Sequence, residues 1–162
     1  MMKWNERPEL SQKDMEQWFQ SITGPEAALQ HHGVIPKMKP RFIACDFERG
    51  TAEMAYEVLS WELNPQDMIH GGITSTALDT SLGMLTHYYT KPHVLTTVTM
   101  SVTFLKPILL GDTFHIHSRL ESLGRTLSTV TGEVRLERDN ILAATCTATY
   151  KIMHQKQKNP LV

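Results

Sequence analysis

The chain has 162 residues, of which 41% are apolar, and this length and composition are sufficient for one domain with a substantial core. Its 16 Lys and Arg residues nearly balance its 17 Asp and Glu residues, and no basic run occurs, which argues against a nucleic-acid partner. The start lacks an apolar signal-peptide core, and no stretch reaches the length of a transmembrane helix. We therefore expect a cytoplasmic protein that does not enter the membrane.

The N-terminal segment predicts one amphipathic helix. Ser11 and Asp14 occupy the two polar positions of a capping box, with Asp in place of the usual Glu. Apolar side chains then recur at helical spacing, at Met15, Trp18, Phe19 and Ile22. Residues 25–32 have room for a further short turn, and Pro36 and Pro40 predict an extended approach to a sheet.

Two stretches of alternating polarity follow and predict a β-hairpin. They cover residues 41–47 and 51–61 and are separated by the turn Glu48-Arg49-Gly50. In the second stretch, apolar side chains alternate with Glu53 and Glu57. This alternation indicates a sheet with one covered face.

The central stretch predicts a turn that leads into a long helix. Asn64 precedes Pro65, and the residue before a proline is disfavoured in the helical region. The run His70-Gly71-Gly72 then begins a segment of helical periodicity that reaches Tyr88. Backbone N–H groups at a helix start are unpaired and carry partial positive charge, and glycine lets a ligand approach them. Since the further motifs of nucleotide-binding loops are missing, a carbonyl oxygen suits this position as well as a phosphate does.

One face of this helix is predicted to pack in the core, and the opposite face carries a single ionisable group. The core face consists of Ile73, Ala77, Leu78, Ser81, Leu82, Leu85 and Tyr89. The opposite stripe consists of Gly72, Thr76, Asp79, Gly83 and Thr86. A helical Asp is most often a solvated surface carboxylate. However, the helix contains no Lys, Arg or Glu, which favours an element surrounded by protein, so Asp79 is a candidate for chemistry.

Four further strands are predicted after the helix, over residues 94–106, 112–122, 126–138 and 141–153. No helix separates them, so the sheet is expected to be antiparallel. The predicted fold class is α+β, with about six antiparallel strands wrapped around one long central helix. We divide the chain into an N-terminal helical extension (1–40), a main domain (41–153) and a polar C-terminal tail (154–162).

Several short motifs occur in an order typical of one family. Asn64-Pro65 precedes His70-Gly71-Gly72, and Asp79 follows Gly72 by seven residues. Three later motifs complete the pattern: Phe104-Leu105-Lys106-Pro107, Gly111-Asp112 and Gly124-Arg125-Thr126. Over roughly residues 40–153 the chain resembles the hotdog-fold thioesterases of the PaaI-like and acyl-CoA thioesterase 13-like group.

The resemblance implies an enzyme that hydrolyses a fatty or aryl acyl-CoA to free acid and coenzyme A without a metal or other cofactor. It assigns the role of general base or nucleophile to Asp79, and the role of positioning and polarising the thioester carbonyl to His70 and Gly71. It further implies that Asn64 orients the reacting groups and that Thr97 holds the water. In the family the cooperating Asp and helix start belong to different subunits, which implies a homodimer or homotetramer.

The substrate-binding candidates are Gly72 at the helix start and the turn Gly124, Arg125 and Thr126. A guanidinium group suits phosphate oxygens, so Arg125 could pair with a phosphate of coenzyme A. The chain departs from many relatives in one place, since Asp67 stands where they have Gly. This residue could alter the loop or add charge near the thioester.

Simpler roles compete for some of these residues. His70 could cap its own turn as readily as take part in chemistry. Thr97 lies in an alternating row with Thr99, Ser101 and Thr103, and such a row is by default a solvated strand face.

Other polar residues are expected to be structural. His115 and His117 share a strand face but have no third ligand in the pattern, so surface placement is a better interpretation than a metal site. Cys45 and Cys146 are expected to be buried thiols rather than nucleophiles.

Two other functions fit the same predicted fold. The first is a non-catalytic acyl-CoA-binding module, against which the combination of Asp79 with His70-Gly71-Gly72 argues. The second is a hydratase or dehydratase that acts on acyl thioesters, which product analysis with an enoyl-CoA would distinguish from hydrolysis.

Overall fold

The structure is a computed structural model and describes residues 10–24 and 33–153. The described elements, in chain order, are α1 (Gln12–Thr23), α2 (Ile35–Met38), β1 (Arg41–Asp46), β2 (Thr51–Glu57), a 3₁₀ helix (Ser60–Glu62), α3 (Gly71–Thr90), β3 (Val94–Phe104), β4 (Thr113–Leu123), β5 (Leu127–Leu136) and β6 (Leu142–Met153). No described helix is both long and apolar enough to cross a membrane.

The strands form one six-stranded antiparallel sheet in the order β1-β2-β4-β5-β6-β3. The long helix α3 packs against one face of this sheet, and α1 lies at the β1 end of the layer. This arrangement confirms the predicted α+β fold. Within residues 10–24 and 33–153, the two edges of the sheet are β1 and β3, and each of these strands has a strand neighbour on one side only.

Helix α3 lies close to the sheet because one position of β5 has no side chain. A Cβ atom on Gly132 would lie 2.7 Å from Leu82 Cδ1 and 3.2 Å from Leu78 Cδ2. Six of the seven residues of the predicted core face are buried, and Ile73 is half-buried against the core; the six are Ala77, Leu78, Ser81, Leu82, Leu85 and Tyr89. The prediction that Thr86 lies on the stripe opposite the core is wrong. Thr86 is also buried, and its hydroxyl donates a 2.9 Å hydrogen bond to the Leu82 carbonyl.

Helix α1 is capped as predicted and is tied to the end of α3. The Ser11 hydroxyl accepts a hydrogen bond from the Asp14 N–H at 3.2 Å. The Asp14 carboxylate, however, bonds Lys91 at the C-terminal end of α3, at 2.9 Å, rather than the Ser11 backbone. Met15 and Phe19 are buried, so α1 adds apolar surface to the core beside α3.

The structure corrects two local predictions. The approach to the sheet is not extended, because Ile35–Met38 forms one helical turn with Pro36 in its first turn, a position where proline is tolerated. The strand predicted over 51–61 ends at Glu57, and the chain then forms the 3₁₀ helix. The predictions for residues 25–32 and 154–162 fall outside the described residues.

Candidate active site

The carboxylate of Asp79 is held through one of its two oxygens. Thr97 Oγ1 donates a hydrogen bond to Asp79 Oδ1 at 2.9 Å, and the Tyr150 hydroxyl donates to the same oxygen at 3.0 Å. The Tyr150 hydroxyl also lies 3.0 Å from the backbone carbonyl oxygen of Asp79. Within the described residues nothing donates to Oδ2, so this oxygen remains available for chemistry.

The sheet register brings the two donors to the same point. Thr97 on β3 and Tyr150 on β6 are direct cross-strand partners in an antiparallel pair. A β-bulge at Val98 shifts the register immediately after Thr97, and a bulge changes the face to which the following side chains point. Consequently Thr97 faces α3, whereas Met100 and Val102 take the covered positions further along the strand.

This bulge overturns the expected row of hydroxyl side chains on one face of β3. Thr99, Ser101 and Thr103 are exposed and follow the bulge, while Thr97 contacts Asp79. The four hydroxyl residues do alternate in the sequence, but the bulge residue Val98 puts Thr97 on a different face from Thr99, Ser101 and Thr103.

A cavity of about 480 Å³ lies next to the Asp79 carboxylate, and we call it the Asp79 cavity. Its polar lining includes Asp79, Thr80, Thr97, Tyr150 and His87. Its apolar lining comes from four elements or segments and consists of Trp18, Ile22, Ile35, Met84 and Leu95. Because burial lowers the pKa of His87, this imidazole favours the neutral form. The cavity thus offers an apolar wall next to one free carboxylate oxygen.

A second cavity, of about 400 Å³, lies at the start of α3, and we call it the Gly71 cavity. Its lining includes Asn64, Gly71, Phe104, Lys106 and Pro107. It shares no lining residue with the Asp79 cavity. The two halves of the predicted site are therefore separate within one chain.

His70 caps the start of α3 with its side chain. The Nδ1 atom accepts a hydrogen bond from the Gly72 N–H at 2.9 Å, and the His70 carbonyl accepts from Ile73 and Thr74. The Gly72 amide, proposed from the sequence to contact substrate, is thus already bonded. Among the described residues only the Gly71 N–H of this first turn has no acceptor, so Gly71 offers the unpaired donor of the helix start.

The turn that precedes α3 is closed by Asn64. Its Oδ1 accepts from the backbone N–H groups of Gln66 at 2.9 Å and Met68 at 3.3 Å. Asp67 has a left-handed backbone, with φ of 57°. Glycine adopts this conformation freely and Asp is among the residues that tolerate it, which explains how Asp67 can stand where relatives have Gly. Since the Asp67 side chain is exposed, the departure leaves the turn in place.

The central part of the chain matches a known protein family. Residues 66–143 match the family model described as the thioesterase superfamily. These residues are a little under half of the chain, which is similar to the thioesterase superfamily over this segment and has the hotdog fold of its structural neighbours. A candidate thioesterase from Ralstonia eutropha, named as related to phenylacetic acid degradation, is 28% identical, with 83% of this chain and 98% of that chain covered and a TM-score of 0.70.

Two further relatives have similar identity. A Streptococcus mutans protein, solved with bound acetyl-CoA, is 27% identical with a TM-score of 0.63, and the match covers 72% of this chain and 92% of that one. A candidate esterase from Caenorhabditis elegans is 28% identical over 82 residues, which are 51% of this chain and 48% of that protein. The chain thus spans about half the length of the curated relative that it matches.

The turn Gly124-Arg125-Thr126 lies near the donors to Asp79. Gly124 N–H bonds the Leu127 carbonyl at 2.8 Å, and the Thr126 carbonyl accepts from Ile152 N–H at 2.8 Å. Tyr150 on β6 lies between its cross-strand partners on β5 and β3, and these bonds place the turn two residues beyond this row of three. The exposed Arg125 side chain is therefore placed at the same end of the sheet as Thr97.

The remaining candidate side chains are two histidines and two cysteines. His115 contacts Glu53 at 2.6 Å and Glu137 at 3.1 Å, and His117 lies 3.5 Å from the same Glu53. Within the described residues no three such side chains are arranged to hold a metal. Burial raises the pKa of each cysteine thiol to about 11, which disfavours the nucleophilic thiolate at Cys45 and Cys146.

Tyr150 is the site residue that the sequence did not reveal. It shares its face of β6 with the buried residues Ala148 and Ile152 and therefore resembles an ordinary core aromatic. Its contact with Asp79 depends on the pairing of β6 with β3, two strands that lie about fifty residues apart in the chain.

Proposed function

We propose that this protein is an acyl-CoA thioesterase that hydrolyses a fatty or aryl acyl-CoA to a free acid and coenzyme A. The observation that carries the proposal is the Asp79 carboxylate, bonded at Oδ1, free at Oδ2 and placed beside an apolar cavity. An apolar cavity with few polar groups is the usual form of a small-molecule site. The relative solved with acetyl-CoA supports a coenzyme A thioester as the ligand.

The proposed chemistry uses one amide donor and one carboxylate. The Gly71 N–H polarises the thioester carbonyl and stabilises the oxyanion, and one such donor is worth about 3 to 4 kcal/mol in other hydrolases. Asp79 Oδ2 either removes a proton from the attacking water or attacks the carbonyl itself. In the first route the water oxygen replaces the thiolate on the carbonyl carbon, the C–S bond breaks, and the proton held by Asp79 passes to the thiolate of coenzyme A. In the second route the C–S bond breaks as an anhydride of Asp79 forms, and water then hydrolyses this anhydride, which gives the free acid, regenerates the carboxylate and supplies the proton for the thiolate.

A second copy of the chain is needed to unite these two groups. Asp79 and Gly71 line different cavities, and β3 runs between them, with Thr97 at one and Phe104 at the other. This strand is a sheet edge with exposed apolar side chains at Val94, Val98, Phe104 and Leu105 nearby. Such an edge is suited to pair with another strand.

Antiparallel pairing of β3 with its own copy would place the two cavities together. If the twofold axis passes near the middle of the strand, Thr97 of one subunit lies close to Phe104 of the partner subunit. The Asp79 cavity would then adjoin the Gly71 cavity of the partner subunit. We therefore propose a homodimer as the smallest active assembly, from which a homotetramer can be built. We also propose a cytoplasmic location.

The decisive test is free-thiol release from short-chain, long-chain and aryl acyl-CoAs. We expect the wild type to hydrolyse at least one of them and Asp79→Asn to lose at least about 100-fold in kcat while it stays folded. Asp139→Asn, at an exposed turn, is the matched control and should retain wild-type kcat.

Other results would overturn this function. Binding of acyl-CoA without turnover would identify a binding module. Conversion of an enoyl-CoA to a hydroxyacyl-CoA without thiol release would identify a hydratase. Full activity of Asp79→Asn would remove Asp79 from the chemistry.

A further inference from the structure

We propose that Tyr150 is a positioning residue for Asp79, which fixes Oδ1 and thereby directs Oδ2 of the ionised carboxylate towards the thioester. The inference rests on the proposed function of Asp79. It adds a third element, β6, to a site that α3 and β3 otherwise build.

The geometry of the contact is that of a fixed donor. The Tyr150 side chain is almost fully buried, with 2% of its surface exposed. Its hydroxyl lies 3.0 Å from both the Oδ1 and the backbone carbonyl oxygen of Asp79. The ring therefore fixes the carboxylate relative to the helix backbone that carries it. A side chain with only one hydrogen bond, from Thr97, could rotate about its χ2 angle more freely.

The two donors act on the same oxygen from paired strands. Thr97 and Tyr150 are cross-strand partners, and both bond Oδ1. A carboxylate that accepts two hydrogen bonds is stabilised in its charged form. Because both bonds reach one oxygen, the lone pairs of Oδ2 stay unshared with the described protein groups. The arrangement separates the oxygen that anchors the group from the oxygen that reacts.

The phenol keeps its proton over the working range of the site. Burial, and next the charge of Asp79, raise the pKa of Tyr150. Tyr150 therefore remains a donor whenever Asp79 is ionised. The other titratable groups near Asp79 are Cys146 on β6, whose raised pKa reflects burial and then the Asp79 charge, and His87, two turns further along α3. The side chains that α1 and Ile35 contribute to the cavity are apolar and do not titrate.

The test is Tyr150→Phe, which removes only the hydroxyl. We expect kcat to fall by about tenfold or more with KM changed by less than about threefold, since a hydrogen bond to a charged group is lost.

Tyr56→Phe is the matched control. Tyr56 is also buried, and its hydroxyl also bonds α3, at Ser81 Oγ with 2.8 Å, but it does not contact Asp79. We expect Tyr56→Phe to lower stability and leave kcat and KM unchanged. Wild-type kcat in Tyr150→Phe would overturn the proposal. So would equal losses of kcat in both variants, since that pattern indicates general damage to the fold.

A second measurement keeps Tyr150 separate from the proposed activity. Crystal structures of the variants report the orientation of the Asp79 carboxylate. In Tyr150→Phe the carboxylate should rotate about χ2 or occupy two orientations, whereas in the wild type and in Tyr56→Phe it should keep Oδ1 on Thr97. An unchanged single orientation overturns the role of Tyr150 even if the enzyme is a thioesterase. Conversely, full activity of Asp79→Asn, or no thiol release by the wild type, rejects the proposed function, whereas the orientation still decides whether Tyr150 controls the carboxylate.

Discussion

One nitrogen of the His70 imidazole accepts a hydrogen bond from the backbone, and the other is open to solvent. Its Nδ1 accepts the Gly72 N–H, and the side chain is exposed. An imidazole with both nitrogens protonated cannot accept this bond, so the cap requires the neutral form with the proton on Nε2. The simpler of the two roles predicted from the sequence is thus supported by a contact, while Nε2–H stays free to act on a ligand.

Two substitutions at His70 separate these roles. His70→Ala removes the cap and should lower the free energy of unfolding by about 1 kcal/mol, whereas His70→Asn, a favoured N-cap residue, should keep it within a few tenths of a kcal/mol. Urea denaturation measures both values. If Asn keeps the stability but loses kcat, Nε2–H contributes to chemistry as well. Equal losses of stability in both variants would contradict the capping role.

At the scale of elements, the close approach of α3 to the sheet depends on Gly132. An added methyl group there meets Leu82 at 2.7 Å in a fully buried layer, so Gly132→Ala should cost about 1 to 3 kcal/mol in unfolding free energy. Gly83→Ala provides the opposite case, because its new Cβ would lie 3.7 Å from the Tyr150 ring, an ordinary contact.

The two glycine variants should therefore change the free energy of unfolding in opposite directions. Alanine in a helix interior is favoured over glycine by roughly 1 kcal/mol, so Gly83→Ala should raise stability. Thermal and urea unfolding of both proteins measure the difference. Destabilisation of the same size at both positions would show that the space beside each glycine does not govern the outcome.

The junction of α1 with α3 should weaken in acid. The hydrogen bond from Lys91 lowers the pKa of Asp14 below its ordinary value of 3.8. A carboxyl with a lowered folded pKa contributes stability that is fully present above the unfolded value of 3.8 and is lost as the pH falls through the folded value. Since the Asp14 side chain is 40% exposed, solvent screening limits the contribution to less than about 1 kcal/mol.

Asp14→Asn tests this pH dependence. As the pH falls from neutral to below 3.8, the stability difference between wild type and variant should shrink towards zero. Urea unfolding at each pH measures it, and Lys91→Met should produce the same change because it removes the other partner. A difference that stays constant over the whole range would contradict the ion-pair explanation.

The sequence predicts those elements whose residues repeat a pattern locally. The boundaries of α3 and of the last four strands fall within about two residues of the prediction, since each has an uninterrupted period and a Gly, Pro or Asn at its ends. Asp79 was identified for a similar reason, as the one ionisable group in a stripe of small residues. Thr97, by contrast, was chosen from family resemblance, which implied that it holds the water, whereas its hydroxyl donates to Asp79 Oδ1 in the structure.

Features that depend on long-range pairing were not predictable from the residues. The bulge at Val98 decides which face Thr97 joins, and no local pattern marks it. Tyr150 reaches Asp79 only through the register of β6 with β3. The turn at Ile35–Met38 was also missed, because two nearby prolines suggest extended chain although proline is tolerated in a first helical turn.

At the scale of the whole molecule, the proposed site divides into two halves that lie towards opposite ends of the edge strand β3. Among the described residues, the lining of the Asp79 cavity supplies the carboxylate, and the lining of the Gly71 cavity supplies the amide donor. Activity should therefore depend on association of two chains through β3. A charge at an edge strand is a common means by which proteins prevent such pairing.

Val98→Lys tests this dependence, because Val98 is 52% exposed on the free edge strand β3. We expect light scattering to show a larger monomer fraction and the specific activity to be low in dilute solution and to recover as the protein concentration rises. Ile43→Lys, on the opposite edge strand β1 and 41% exposed, is the matched control and should keep both assembly and activity. Loss of activity that does not recover with concentration would indicate damage to the neighbouring Thr97 instead, and a fully active monomer would reject the two-chain site.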